Sequence, residues 1–211
     1  MSWIAFGRIN TKNYGLIVAP YEIPMPPAKT DYVEVPGRDG SLDMTEALGT
    51  VRYGDRVINI TMYAVGSYRS RLFEFVNLLH GQRMYIVFDK DIGYTYNGRI
   101  DVNGITKQDG YCEISVTVTA EPYKLEENDT TVTVSGSGRA YLVNGKMPVV
   151  PTVKTTEETS LTFASNGQNI TVTLSAGEHI IPQLYLASND SKRVTVASFG
   201  TTTFLFKKGW L

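Results

Sequence analysis

Apolar and polar residues alternate with a period of two along much of this chain, the signature of half-buried strands. In Val57 to Tyr63, Ile58, Ile60 and Met62 share one face while Val57, Asn59, Thr61 and Tyr63 share the other. In Tyr111 to Ala120, Cys112, Ile114, Val116 and Val118 alternate with Glu113, Ser115, Thr117 and Thr119. Further strands are predicted at Arg83 to Phe88 and at Tyr94 to Val102, and Trp3 to Val18 reads as a strand, a turn and a second strand. The pattern changes period once. From Ser67 to His80, Leu72, Phe75, Val76 and Leu79 fall on one helical stripe, with Ser67 as cap and Gly81 as stop, so residues 67–80 are predicted to form a helix lying on a sheet.

Two stretches between these elements are unlike the rest. APYEIPMPPAKTD carries Pro20, Pro24, Pro26 and Pro27, whose missing N–H donors favour an extended run at a sheet edge or an arm. Tyr32 to Val35 then alternates into PGRDG, where Gly37 and Asp39-Gly40 supply a tight turn, so a projecting hairpin is expected.

After Pro122 the texture shifts: 9 Thr precede residue 126 and 14 follow, and EENDTTVTVSGSG is polar and small enough to mark a new domain. A boundary near residue 125 divides the chain into 1–125 and 126–211. Beyond it no helical stripe occurs. Strands are expected at Val149 to Thr155, Leu161 to Ala164, Ile170 to Leu174, Ile180 to Ala187, Arg193 to Ala197 and Thr202 to Phe206, the spacing of a β-sandwich. Asn166-Gly167 is the best two-residue hairpin signal in the chain.

With 211 residues, 42% hydrophobic and 19% charged, the chain is long enough for one large or two small β domains with packed cores. Its single cysteine, Cys112, excludes a disulfide framework. Twenty Lys and Arg against 21 Asp and Glu leave a net charge of -1, which provides no overall field for nucleic acid. Apolar runs such as Leu16 to Ala19 and Met84 to Phe88 fall far short of the roughly 20 residues of a spanning helix, and MSWIAFGRIN lacks a signal-peptide core. The expectation is a soluble protein made in the cytoplasm, with no membrane insertion.

Chemistry-bearing residues are sparse. His80 and His179 have no second ligand at metal spacing, so no metal is expected; His80 is read as a cation at the negative end of the helix dipole and His179 as a loop residue. Cys112, on the inward face of its strand, is read as a small hydrophobe. DKDIG begins like a calcium loop, but the twelfth position is Ile100 rather than a bidentate Glu, so it reads as a turn. GRDG and SGSGR lack a phosphate-binding setting. Sequons at Asn59, Asn128, Asn169 and Asn189 have no secretory route in this reading. Asp31, Glu34, Asp39, Asp43 and Glu46 stand beside Arg38, Arg52 and Arg56, and mixed charges in a turn-rich hairpin more often form solvated ion pairs or ion pairs between subunits than a catalytic dyad. No catalytic residue, cofactor or metal site is assigned. Arg38, Asp39, Asp43, Arg52 and Arg56 are candidates for a subunit interface.

At DYVEVPGRDGSLDMTEAL, residues 31–48, the chain resembles the distal tail proteins of siphophages and prophages of Gram-positive bacteria. The resemblance continues through VRYGDRVINITMYA, the helix SRLFEFVNLLHGQ and the strand ending in TVTAEPYKL, and weakly to the terminal FKKGWL. It implies a mainly β, non-enzymatic virion protein. Its N-terminal β-rich domain with one helix would form a homo-hexameric ring, and its C-terminal domain would be a galectin-like β-sandwich on that ring. The implied place is the distal end of the tail, after assembly in the host cytoplasm. The implied partners are the major tail protein on one side, a tail-associated lysin or tail fibre protein on the other, the tape measure protein inside and receptor-binding proteins outside.

A carbohydrate-binding module attaching to cell-wall polysaccharide is the alternative, with Tyr185 and Trp210 as candidate sugar contacts and Tyr141 as a further exposed aromatic. An endolysin-like hydrolase ranks last, because it needs an acid pair or metal cluster that the residues do not supply.

Overall fold

The computed structural model describes residues 2–47, 49–66 and 69–211, which form two compact units, 1–124 with Leu211 and 125–210. The fold is mainly β with one α-helix.

The first unit opens with β1 (Ile4–Phe6), β2 (Ile9–Asn10), a 3-10 turn at Thr11–Tyr14 and β3 (Leu16–Val18). The two-residue strands β4 (Ala28–Lys29), β5 (Tyr32–Val33), β6 (Leu42–Asp43) and β7 (Arg52–Tyr53) follow, and then β8 (Arg56–Val65) and α1 (Arg69–Leu79). After β9 (Arg83–Phe88), β10 (Tyr94–Lys107) and β11 (Tyr111–Ala120) comes β12 (Lys124–Glu126). The main sheet runs β2-β1-β9-β10-β11-β8-β3. β8 and β11 pair along their whole lengths, with Ile58 opposite Val118, Ile60 opposite Val116 and Met62 opposite Ile114, all buried. Strict alternation fixes this register, since a slip of one residue would turn the whole apolar set outward. Gly98 lets β10 approach β11: a Cβ there would lie 2.9 Å from the Thr119 carbonyl oxygen.

Helix α1 buries Leu72, Phe75 and Leu79, with Val76 half-buried, as the stripe predicts; its expected cap, Ser67, lies outside the described residues. The Phe75 ring meets Phe6 edge-on at 6.3 Å and Tyr14 at 5.2 Å. Full burial of such a side chain contributes about 2–3 kcal/mol. Gly81, at φ 74, ends the helix and donates its N–H to the Ile100 carbonyl.

The second unit stacks two antiparallel four-stranded sheets in a β-sandwich. The strands of these sheets are β13 (Thr130–Ser135), β14 (Gly138–Val143), β15 (Thr152–Thr155), β16 (Thr159–Ser165), β17 (Gln168–Leu174), β18 (Gly177–Ile180), β19 (Ser191–Ser198) and β20 (Thr201–Phe206), and the short β21 (Gly209–Trp210) belongs to neither. One sheet runs β13-β20-β15-β18 and the other β14-β19-β16-β17. Phe204, Phe206 and Val153 from the first meet Leu142, Leu161, Phe163, Val194 and Val196 from the second in one core. The β16–β17 hairpin closes Ser165 against Gln168 through Asn166 (φ 50) and Gly167 (φ 77), the two positive φ angles a two-residue turn needs.

The polar stretch that follows residue 125 holds a full strand, β13, whose Thr residues alternate with Val132 and Val134, which pack on the core. Two strand expectations are corrected here. No strand spans Ile180 to Ala187: β18 ends at Ile180, and Pro182, which has no N–H for a ladder, begins a 3-10 turn over Pro182–Leu184. Val149 belongs to an isolated bridge with Leu186, and β15 starts only at Thr152.

Candidate interaction surfaces

The segment between the proline-rich run and β8 stands out from the first unit. Tyr21 and Pro26 are buried and anchor the run, but from Ala28 to Thr50 every described residue is exposed except the half-exposed Thr45. Two short antiparallel pairings stiffen the segment, β4 with β7 and, beyond them, β5 with β6. Its apolar residues have no interior to enter: Tyr32, Val33, Val35, Leu42 and Met44 are all exposed, Tyr32 by 58%. Arg38, Asp39 and Arg52 are exposed beside them. Arg38 sits in the turn whose N–H reaches the Val35 carbonyl at 3.1 Å. The Asp43 carboxylate accepts the Thr45 N–H at 2.9 Å, and hydrogen bonding from Thr45 holds its carboxyl below the usual carboxylate range. An exposed arm mixing apolar and charged residues has the composition of a surface that another chain covers.

Arg56 is the correction within this set. It is 2% exposed, and its guanidinium donates to the carbonyls of Pro24 at 3.2 Å and Pro122 at 2.5 Å. Its guanidinium carbon lies 5.2 Å from the Tyr96 ring centre. Burial lowers its proton affinity, while Tyr96 and Asp91 act to raise it. Arg56 therefore belongs to the interior of the first unit, where it ties the proline-rich run to the end of β11. The signal was in the sequence: Arg56 precedes Ile58 by two residues, in phase with the buried face of β8.

Around it lies a polar network that the sequence did not disclose. Tyr21 donates to Asp89 at 2.5 Å, Ser2 donates to the same oxygen at 3.0 Å, and Lys90 caps the Tyr21 carbonyl at 2.6 Å. Tyr96 hydrogen-bonds Asp91, which is ion-paired with Lys124 at 2.9 Å. Burial, reinforced by these carboxylates, raises both tyrosine hydroxyls well above their ordinary range. DKDIG is thus a turn whose carboxylates receive hydrogen bonds. Among the described residues, no three His, Cys, Asp or Glu side chains come together to hold a metal.

His80 accepts the Val102 N–H at Nδ1, 3.1 Å away. His179 lies on β18, where its ring contacts the Ser175 carbonyl at 2.8 Å. Cys112 is buried among the apolar residues of β11.

In the second unit the candidate aromatics lie against different partners. Tyr185 is 44% exposed beside a depression of about 360 Å³ that Asn166, Gln183 and Lys192 also line. Trp210 is half-buried: its indole N–H donates to Glu126 at 3.0 Å, and its ring covers Gly145, where a Cβ would come within 3.2 Å. Tyr141 is 62% exposed on β14.

A solved structure matches this arrangement over 100% of both chains, with a TM-score of 0.74 and 13% sequence identity. It is the crystal structure of SPP1 Dit (gp 19.1), described as a paradigm of the hub adsorption apparatus in phages infecting Gram-positive bacteria. The chain has the Dit fold. No family model and no curated protein matches the sequence. At 13% identity the likeness to Dit is one of backbone architecture, extending over both units. The helix, the seven-strand sheet path and the β-sandwich are therefore features of the Dit fold. No described helix is long and apolar enough to cross a membrane.

Proposed function

We propose that this chain is a structural hub protein of a phage tail adsorption apparatus, placed at the distal end of the tail. The observation that carries this reading is the end-to-end match to Dit, which spans both units rather than one module. In this reading six copies close into a ring through the first unit, and the second unit decorates it. A ring is a heterologous interface that closes on itself, so each copy needs two different surfaces. The exposed arm, residues 28–53, supplies one of them. Tyr32, Val33, Leu42 and Met44 provide apolar area, and Arg38, Asp39, Asp43 and Arg52 provide charge that fixes register against the neighbour. The short pairings of β4 with β7 and β5 with β6 pre-order the arm, which lowers the entropy lost on docking.

The expected neighbours are a tail-tube protein on one side of the ring, a lysin or fibre protein on the other, the tape measure protein within it and receptor-binding proteins outside. The role is structural rather than enzymatic. Negative-stain electron microscopy of the purified chain tests it: sixfold rings support the reading, and a field of single particles of one chain counts against it. Sugar binding through Trp210 is disfavoured, since its indole N–H is already bonded to Glu126 and its ring covers Gly145.

A further inference from the structure

The outward face of the β14-β19-β16-β17 sheet carries two arginines and no carboxylate from its own strands. Side chains alternate along each strand, so Arg139 and Tyr141 of β14, Arg193 and Thr195 of β19, Thr162 of β16 and Thr171 of β17 all point away from the core. Register joins them in rows. Arg139 stands opposite Thr195, Thr195 opposite Thr162 and Thr162 opposite Thr171, while Tyr141 stands opposite Arg193 in the next row. The two arginines are therefore diagonal neighbours, about 7–8 Å apart at the backbone.

These four strands carry no Asp or Glu. Among the described residues, neither Arg139 nor Arg193 has a hydrogen bond, an ion pair or an aromatic partner, although the chain as a whole is slightly acidic. On the opposite sheet the outward Lys154 is neutralised by Glu178 at 2.9 Å. The rest of the arginine face is hydroxyl-rich: Thr162 and Thr171 hydrogen-bond at 2.9 Å, and Ser160 and Thr173 at 3.0 Å. A depression of about 440 Å³ runs along it past Thr162, Asn169, Arg193 and Thr195, with Asp190 and Lys192 also lining it. Both of those are engaged elsewhere. The Asp190 carboxylate accepts the Ala187 N–H at 3.3 Å, and Lys192 donates to the Tyr185 carbonyl at 2.5 Å.

We propose that this face binds an anionic, polyhydroxylated polymer, a glycan or polyol chain bearing sulfate, phosphate or carboxylate groups. Two unpaired guanidinium forks match such anions, and Arg holds them by paired N–H donors. Threonine and serine hydroxyls both donate and accept, which suits the hydroxyls of the chain between its charges. Tyr141, beside Arg193, offers a flat ring on which a sugar can lie. The strand repeat gives a long, shallow track rather than a pocket, which fits a polymer rather than a small ligand. The site needs no ring, so its test stands apart from that of the hub reading.

The experiment uses the full chain and three probes by titration calorimetry: dextran sulfate, neutral dextran and poly-L-glutamate. Dextran sulfate is expected to bind best, in a manner weakened by salt. The double variant R139A/R193A is expected to weaken it by at least about tenfold, and R139A or R193A alone by several-fold. Lys154→Ala, on the other sheet, is expected to change nothing. All three arginine variants change exposed side chains and are expected to melt as the parent does. Dextran sulfate bound no better than poly-L-glutamate, or equally by parent and double variant, would overturn the proposal.

Discussion

The guanidinium of Arg56 lies 5.2 Å from the ring centre of Tyr96, and Tyr96 in turn hydrogen-bonds Asp91. A buried cation is thus held by an aromatic face and two backbone carbonyls rather than by a carboxylate in direct contact. Arg56→Ala would leave the Pro24 and Pro122 carbonyls without their donor. It is expected to destabilise the first unit by about 2–4 kcal/mol, read as a lower urea midpoint. Arg56→Lys cannot span both carbonyls and is expected to recover only part of the loss. A variant as stable as the parent would contradict the interior role.

Arg38→Glu is expected to behave in the opposite way. Arg38 is exposed on the arm, so its reversal should leave the melting temperature within about 1 °C of the parent, because surface substitutions rarely move stability by more than about 0.5 kcal/mol. Ring formation, measured by sedimentation, should weaken because a reversed charge faces the neighbour. An unchanged oligomer would remove Arg38 from the interface.

Asn144 performs in the second unit what Arg56 performs in the first. Its side-chain amide donates to the Met147 carbonyl at 2.8 Å and the Ala187 carbonyl at 2.9 Å, from a 5% exposed position. Asn144→Ala is expected to cost about 1–3 kcal/mol, visible as a lower calorimetric melting temperature.

Asp89 gives the acid response a sign. Burial alone would raise its carboxyl, but hydrogen bonds from Tyr21 and Ser2 and the charge of Lys90 outweigh that and set it below its ordinary value of 3.8. A carboxylate lowered on folding adds stability that is fully present above its unfolded value and is lost as pH falls through the folded one. The first unit is therefore expected to lose stability as pH drops below about 4, and Asp89→Asn to flatten that loss. Urea midpoints across that range check both statements, and an Asp89→Asn profile as steep as the parent's would contradict them.

What the sequence made legible was what alternation and periodicity encode. Ile58, Ile60 and Met62, the stripe of Leu72, Phe75 and Leu79, and the Asn166-Gly167 turn each have a local cause, and each appears as expected. Arg56 carries a charge that reads as surface beside Arg52, yet it stands on the same face as Ile58, and its partners come from 32 and 66 residues away. The network of Tyr21, Asp89, Tyr96 and Lys124 was invisible for the same reason, since no local pattern brings residues so distant in sequence together. The polar composition of residues 126–138 marks the start of a domain but masks β13, although Val132 and Val134 keep the period of a strand. The unpaired arginines on the β14–β19 face became visible only through register, which sets Arg139 diagonal to Arg193 across two strands.

The hub reading stands most directly on the mass of the purified chain in solution, measured by light scattering over a wide concentration range. A ring predicts about six times the subunit mass of 23.4 kDa, with Arg38→Glu shifting the population toward single chains. A mass of one subunit at every concentration, unchanged in the variant, would contradict the claim that this chain closes on itself as a hub.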